Sequence, residues 1–387
     1  MRLGAAVIDI DVPAGTRFGG FWQERPEAAT GTHDPLQCQA LVAEGEGGAA
    51  AILSLDLQLI SRTAVREIAR RLASDPGIAP EAVLVHATHD HAAPGGDSEE
   101  AFVEGVGDRF VDAALAETIV ARATEAARAA WRRRAPARLR LATGAIAGIG
   151  RFRSDAGAPA RAPAALLEGV GADGRVRVVV AWYGCHASVL GPDNRLFSAD
   201  HPGVVRARLR AAYPGADALY LNAPAADVST RNTRRAQTFA EMERLGGLLA
   251  DELLALRPAA RVVAGEGVRA QRREIALPLT PAGEGGERAE RLRHALPLPG
   301  GGVPFACQAL RLGDLLVVGL EAEIGFDLGQ EILAAARRDG LAALIVAPAG
   351  GSVGNLPSAV FGADAADAAR RGVEAAIDAV AGGTRPG

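Results

Sequence analysis

Three of the chain's seven histidines fall within six residues, in Leu84-Val85-His86-Ala87-Thr88-His89-Asp90-His91-Ala92-Ala93-Pro94-Gly95-Gly96. Imidazole is neutral near pH 7 and a good ligand for borderline-soft cations, and held rigidly it also moves protons. A lone histidine is most often a satisfied core or surface group. A cluster that closes an apolar run points to metal binding or catalysis. The run Ala82 to Val85 reads as a buried strand, and Pro94-Gly95-Gly96 as the turn that leaves it. In a continuing strand His89 and His91 share one face and His86 takes the other.

Similar polar groups close other apolar runs far away in sequence. Val176 to Trp182 leads into Gly184-Cys185-His186-Ala187-Ser188, and Leu315 to Leu320 ends in Glu321-Ala322-Glu323. Ala49 to Leu57 carries Asp56 near its carboxyl end. Two imidazoles and a carboxylate around an open position make a catalytic zinc site, in which bound water ionises near pH 7. No short local motif supplies these ligands, so the tertiary fold must gather them.

The elements that would do so alternate. Strands are expected at 1–10, 36–42, 49–57 and 82–85, with a helix at 62–74 capped by Ser61 or Thr63. Strand, helix, strand with short joints is a βαβ unit, and ligands gather at the carboxyl ends of such strands. Further along come a helix over 108–134, strands 139–147 and 176–182, a helix 203–213 and a strand 218–221. A helix 236–256, a hairpin within 261–278, strands 315–320 and 343–347, and a final helix 363–381 complete the pattern. The Gly-, Pro- and Arg-rich stretch 280–303 reads as a mobile surface insertion, its His294 solvated. Phe18, Phe21 and Trp22 cluster after a glycine-rich loop, where packing is the simplest role, and His33 reads as a loop histidine. With no internal repeat and no linker, the expectation is one α/β domain over 1–387, a mixed β-sheet core flanked by helices.

Composition removes several function classes. All 42 basic residues are arginine, which excludes a P-loop lysine, a Schiff-base lysine and a pyridoxal site. A net charge of -4 gives no electrostatic footprint for nucleic acid. Cys38, Cys185 and Cys307 lie far apart without CxxC spacing, which fits a reducing compartment. No signal peptide and no apolar membrane span is visible, so a cytoplasmic location is expected.

Thr88-His89-Asp90-His91-Ala92-Ala93-Pro94-Gly95-Gly96 resembles the THTHSxPGG segment of the neutral/alkaline non-lysosomal ceramidase family. The resemblance runs along nearly the whole chain. Residues 31–36 resemble the G-x-H-D-P-L turn, and Leu53 to Asp56 the strand after it. Cys185-His186-Ala187 through Ser198-Ala199-Asp200-His201-Pro202-Gly203 resembles the second histidine block. Asp227-Val228-Ser229 resembles G-D-V-S-P, and Leu320 to Gly329 the glutamate segment.

That resemblance implies a ceramidase-like catalytic domain: a zinc-dependent amidase acting on an N-acyl bond. His89 and His186 would ligate zinc with Glu323, Glu321 standing where the family has a proline. His91 would hydrogen-bond the substrate carbonyl or oxyanion, Ser229 would act as nucleophile or positioning group, and Arg153 would touch the substrate. Two departures stand out. The family's tyrosine ligand is replaced by Asn355 in Gly351-Ser352-Val353-Gly354-Asn355-Leu356-Pro357, and Asp90 and Ala92 replace Thr and Ser beside the histidines. The C-terminal immunoglobulin-like domain of full-length ceramidases is not expected within these 387 residues.

The expected function is zinc-dependent hydrolysis, or transfer, of an N-acyl group on a small or lipid-like substrate. A catalytically silent binding or scaffold protein of the same fold is the alternative from another class. A metal-dependent esterase or lactonase would use every one of the same residues.

Overall fold

The computed structural model of the chain describes residues 1–21, 25, 27–95, 112–154, 161–281, 290, 302–337, 340–350, 355–356, 361–362 and 364–381. Trp22, Gly96, His294 and most of the 280–303 and 351–357 segments lie outside the described residues, and so do the solvated His294 and the bulk of the insertion expected there.

The first half of the large sheet is built from β1 (Arg2–Asp9), β2 (Gln37–Gly45), β3 (Gly48–Leu55) and β4 (Val83–Ala87). The second half holds β5 (Ala135–Ile146), β6 (Ala162–Gly171), β7 (Val176–Tyr183) and β8 (Asp217–Asn222). Their spatial order is β8-β7-β6-β5-β1-β2-β3-β4, with Arg261–Val262 added on β5. Only the outer pairs, β3 with β4 and β7 with β8, are parallel.

Each parallel pair encloses a helix. Between β3 and β4 lies α1 (Arg62–Ser74), whose start is set by Ser61, the side chain accepting from the Ala64 N–H. α2 (Ala113–Arg132) packs on β1 and β2, using a buried stripe of Leu115, Ile119, Ala123, Ala126 and Ala130. α3 (Asp200–Ala212) joins β7 to β8 and packs on α4 (Phe239–Ala255). β4 is buried on both faces, as its unbroken apolar run requires.

A second sheet consists of β9 (Val268–Pro278), β10 (Gly302–Leu312), β11 (Leu315–Leu320) and β12 (Ala342–Val346), in that order. The helices α5 (Phe326–Ala336) and α6 (Ala365–Ala381) pack on it. The sheets meet in one apolar core. A Cβ on Gly319 of β11 would come within 2.9 Å of Leu84 of β4. The Trp182 indole of β7 donates to the Ile345 carbonyl of β12 at 2.7 Å.

Mixed sheets flanked by helices are the expected fold class, with several corrections of detail. There is no hairpin within 261–278: Arg261–Val262 joins β5, and β9 pairs with β10 from Val268↔Leu312 to Pro278↔Gly302. The expected insertion lies between these two strands in sequence, and Gly302 and Val303 already belong to the second of them. β6 and β10 escaped the pattern because Ala-rich runs lack the β-branched signature. A recurrent unit is also present. A hairpin, a helix and a strand parallel to the hairpin's second arm occur as β2-β3-α1-β4, as β6-β7-α3-β8 and as β10-β11-α5-β12. The repetition lies in the topology, and no residue motif is shared.

Candidate metal centre

β4 stops at Ala87, and the chain turns before the second histidine. His89 sits in the left-handed region at φ 56, so it is a turn and not strand parity that aims its ring. A non-glycine residue held there costs about 1–2 kcal/mol, and such strain is retained mainly at functional sites. The ring is anchored where Nδ1 donates to the Gln58 carbonyl at 3.0 Å, leaving Nε2 to face inward. His186, just past β7, repeats the device. Its Nδ1 reaches the carbonyls of Ala225 at 2.9 Å and Val228 at 3.2 Å. A backbone carbonyl on the far nitrogen fixes tautomer and ring plane, as is usual for metal-bound histidine.

Both inward nitrogens meet the same atom. Glu323, in a short strand after β11, places Oε2 3.1 Å from His89 Nε2 and 3.4 Å from His186 Nε2. With Nδ1 committed to a carbonyl on each ring, both Nε2 atoms and one carboxylate oxygen converge on a single point, which either a proton on His89 or a bound metal cation can neutralise. The charge balance shows the same demand. Burial opposes a charge on His89, but the Glu323 carboxylate outweighs it and holds the imidazole above its usual pKa. Burial and the Arg153 guanidinium push His186 down to about 4. Burial works against Glu323 ionisation, yet the two histidines keep its carboxyl well below the usual range.

His91 completes the cluster. Its ring lies 5.1 Å from that of His89 and 5.5 Å from that of His186. One nitrogen from each of the three rings falls within a 4.8 Å group that could hold a metal ion. Unlike the other two, His91 has no carbonyl behind it among the described residues, and both its ring nitrogens are buried without a hydrogen-bond partner there. The Phe21 ring packs against it at 5.0 Å, so this aromatic lines the site. Gly20 passes so close that a Cβ there would lie 2.4 Å from His91 Cβ.

Ser229 is reached through the backbone. Val228–Ser229 pairs with Arg151–Phe152, and Ser229 also bridges to His186. Its Oγ accepts from the Arg231 N–H at 3.3 Å. The Arg153 N–H bonds the Asp227 carbonyl, and its largely buried guanidinium acts electrostatically on Glu323 and on all three histidines. Asn355 is the register partner of Glu323 in a parallel pair, so the backbone brings the position of the departure beside the carboxylate.

Other candidates go elsewhere. Asp56, expected with the histidines, is fully buried and gripped by Arg206 of α3 at 2.9 and 2.5 Å. Glu321 binds Arg62 of α1 at 2.7 Å and accepts from the Ala306 N–H. His86 is a satisfied core group: it contacts Ser54 Oγ at 3.1 Å and accepts from the Asn222 N–H at 3.2 Å. His33 stacks on Phe239, with ring centroids 3.8 Å apart. Asn222, the last residue of β8, was not foreseen, although it too closes an apolar run and lines the pocket behind His89, His186 and Glu323.

Fold and site together define an α/β protein whose buried histidine–glutamate cluster lies where several strands end. Residues 1–165 match the family described as neutral/alkaline non-lysosomal ceramidase, N-terminal, and the resemblance read from the sequence holds. No curated protein matches the chain in sequence. Among solved structures, the neutral ceramidase of Pseudomonas aeruginosa is similar with a TM-score of 0.81 at 18% identity, covering 98% of this chain and 74% of its own. A ceramidase complexed with C2 is similar with the same TM-score and identity, covering 98% and 75%. At that identity the likeness is one of fold, and it runs the length of the chain.

Proposed function

We propose that the protein is a zinc-dependent amidohydrolase that cleaves the N-acyl bond of a small or lipid-like substrate. One observation carries the reading: two carbonyl-anchored imidazoles converge on a single carboxylate oxygen. The ceramidase family match and fold support amide cleavage as the reaction class. His89, His186 and Glu323 fit a cation by donor type, orientation and charge. When bound, zinc would polarise the acyl carbonyl and lower the pKa of the attacking water.

The chain's own residues supply the rest. His91, untethered and neutral, faces the acyl oxygen and stabilises the negative charge that develops there. Arg153 holds a polar end of the substrate, and Asn355 occupies the position of the family's tyrosine, where a phenolate ligand would otherwise stand. The attacking oxygen, from water or from Ser229, bonds the acyl carbon. The C–N bond breaks, and the proton lost by the attacking oxygen goes to the departing amine. With Ser229 as nucleophile, water then releases the acyl group as the acid. Exclusion of water would let the same site transfer the group instead.

Metal analysis and a panel of N-acyl amides and matching esters test this. The expected result is one zinc per chain and amide hydrolysis that chelation abolishes and zinc restores. A zinc-loaded protein that cleaves neither amide nor ester favours the scaffold reading, whose specific support is Asn355 at the tyrosine position. Ester cleavage without amide cleavage assigns the esterase class.

A further inference from the structure

The pocket behind the histidines is lined by His89, Cys185, His186, Asn222 and Glu323, with apolar residues closing the rest. About 10 Å³ of it is open to the centre of a water molecule, which is room for roughly one water. Among its polar lining groups Asn222 stands apart. It is 3% exposed, and its Oδ1 is buried with no hydrogen-bond partner among the described residues. An amide oxygen left in that state costs about 1–3 kcal/mol, so a native structure keeps one when something fills it.

The orientation of this amide is determined by its surroundings. Nδ2 donates to the Thr88 carbonyl at 2.5 Å; a flipped amide would set two oxygens face to face. The backbone is held as firmly. The Asn222 N–H donates to His86 Nε2 at 3.2 Å, and His86 Nδ1 contacts Ser54 Oγ at 3.1 Å. Ser54 spends its own proton on the Tyr220 carbonyl at 2.6 Å, so Oγ receives the Nδ1 proton and Nε2 is the acceptor. The Ala347 N–H bonds the Asn222 carbonyl. A buried chain of neutral groups thus fixes a residue that lines the pocket and leaves its amide oxygen the one acceptor not engaged.

We propose that Asn222 Oδ1 accepts a hydrogen bond from the attacking water, which makes Asn222 a further catalytic residue and His86 with Ser54 its positioning residues. The proposal rests on the hydrolase reading above. Oδ1 takes no proton; it orients the water so that a lone pair faces the acyl carbon. Pocket size argues for water over the substrate's own N–H, since no acyl chain fits there.

Two measurements test it. In a crystal structure of the zinc-loaded protein, an ordered oxygen is expected within about 2.6–3.2 Å of Oδ1; its absence overturns the proposal. In kinetics, Asn222→Ala should lower kcat by about 10- to 100-fold, with KM and zinc content nearly unchanged. Asn222→Asp, which keeps an oxygen at the Oδ1 position, should retain more activity than Asn222→Ala. A purely structural role predicts the reverse, because a carboxylate would face the Thr88 carbonyl. Asp falling to or below Ala, with a lowered melting temperature, therefore also overturns it. If Asn222→Ala does not fold, the ordered oxygen in the unsubstituted protein decides. Unsubstituted protein with neither zinc nor hydrolysis refutes the hydrolase reading instead, and the proposal falls with it.

Discussion

His89 and His186 differ from the other described histidines in one respect: the far nitrogen of each is bonded to a backbone carbonyl while the near one meets Glu323. His89→Ala or His186→Ala is therefore expected to abolish metal binding and turnover together, with little loss of fold. Zinc content and circular dichroism check this, and an unfolded variant at room temperature would make the site structural. His91→Asn should keep zinc while losing most turnover, the pattern that separates a substrate-facing group from a ligand. Asn355→Ala is expected to lower turnover at unchanged zinc content, and loss of zinc would make the amide a ligand. Metal uptake should also depend on pH. The metal-free protein holds a proton on His89 at and somewhat above its ordinary range, and zinc must displace it. Affinity should then weaken by roughly tenfold for each pH unit of acidification below that raised pKa. Chelator-competition titrations that show no pH dependence across that range would contradict the assignment of His89.

At the scale of elements, the site depends on strand ends being held in place by buried ion pairs. Arg206 of α3 grips Asp56 at the end of β3, and Arg62 of α1 grips Glu321 beyond β11. Burial drives the Asp56 pKa up against the pull of Arg206, so the carboxylate is costly without its partner. Arg206→Met is expected to destabilise the fold by about 3–5 kcal/mol, as removal of one partner of a buried pair does. Asp56→Asn combined with it should recover part of the loss. Denaturant unfolding of the single and double variants measures this, and a single variant within about 0.5 kcal/mol of the parent would mean that the pair contributes nothing.

For the whole molecule, three topologically similar units set their strand ends around one point. His89 follows the parallel strand of one unit and Asn222 ends that of another; His186 and Glu323 follow the second hairpin arms of two. This assembly buries histidines deeply enough to deny them charge: burial takes His86 to about 3 and His186 to about 4, each from 6.5. Below pH 6.5 the unfolded chain binds protons that these folded groups refuse, so their contribution to stability falls with acidification. It is complete above 6.5 and is lost progressively as pH drops to about 4 for His186 and about 3 for His86. Every tenfold difference in proton affinity between the folded and unfolded chain is worth about 1.4 kcal/mol. The melting temperature of metal-free protein should therefore decline between pH 6 and pH 4. A flat profile over that interval would show that these imidazoles charge freely in the folded state.

Residue types and local order marked His89, His91, His186 and the Glu321/Glu323 pair, because each closes or follows an apolar run, whereas Ser229, Arg153 and the choice of Glu323 were marked only by the resemblance to ceramidase motifs. The α1 cap at Ser61 and the βαβ unit around it were legible for a similar reason, since caps and periodicity are local. Other features depended on neighbours distant in the chain. Glu321 and Glu323 are two residues apart, yet only the packing of Arg62 decides that Glu321 closes an ion pair while Glu323 meets the histidines. The strand ends at Ala87 and His89 turns left-handed, which replaced strand parity as the reason the rings converge. β9 finds β10 across more than twenty residues, so no local hairpin pattern could announce it. The unengaged acceptor of Asn222 exists only because Thr88, His86 and Ala347, all more than 120 residues away in the chain, take up its side-chain nitrogen, its backbone N–H and its carbonyl. Local chemistry named the reactive groups; long-range hydrogen bonding and burial decided which of them face one another.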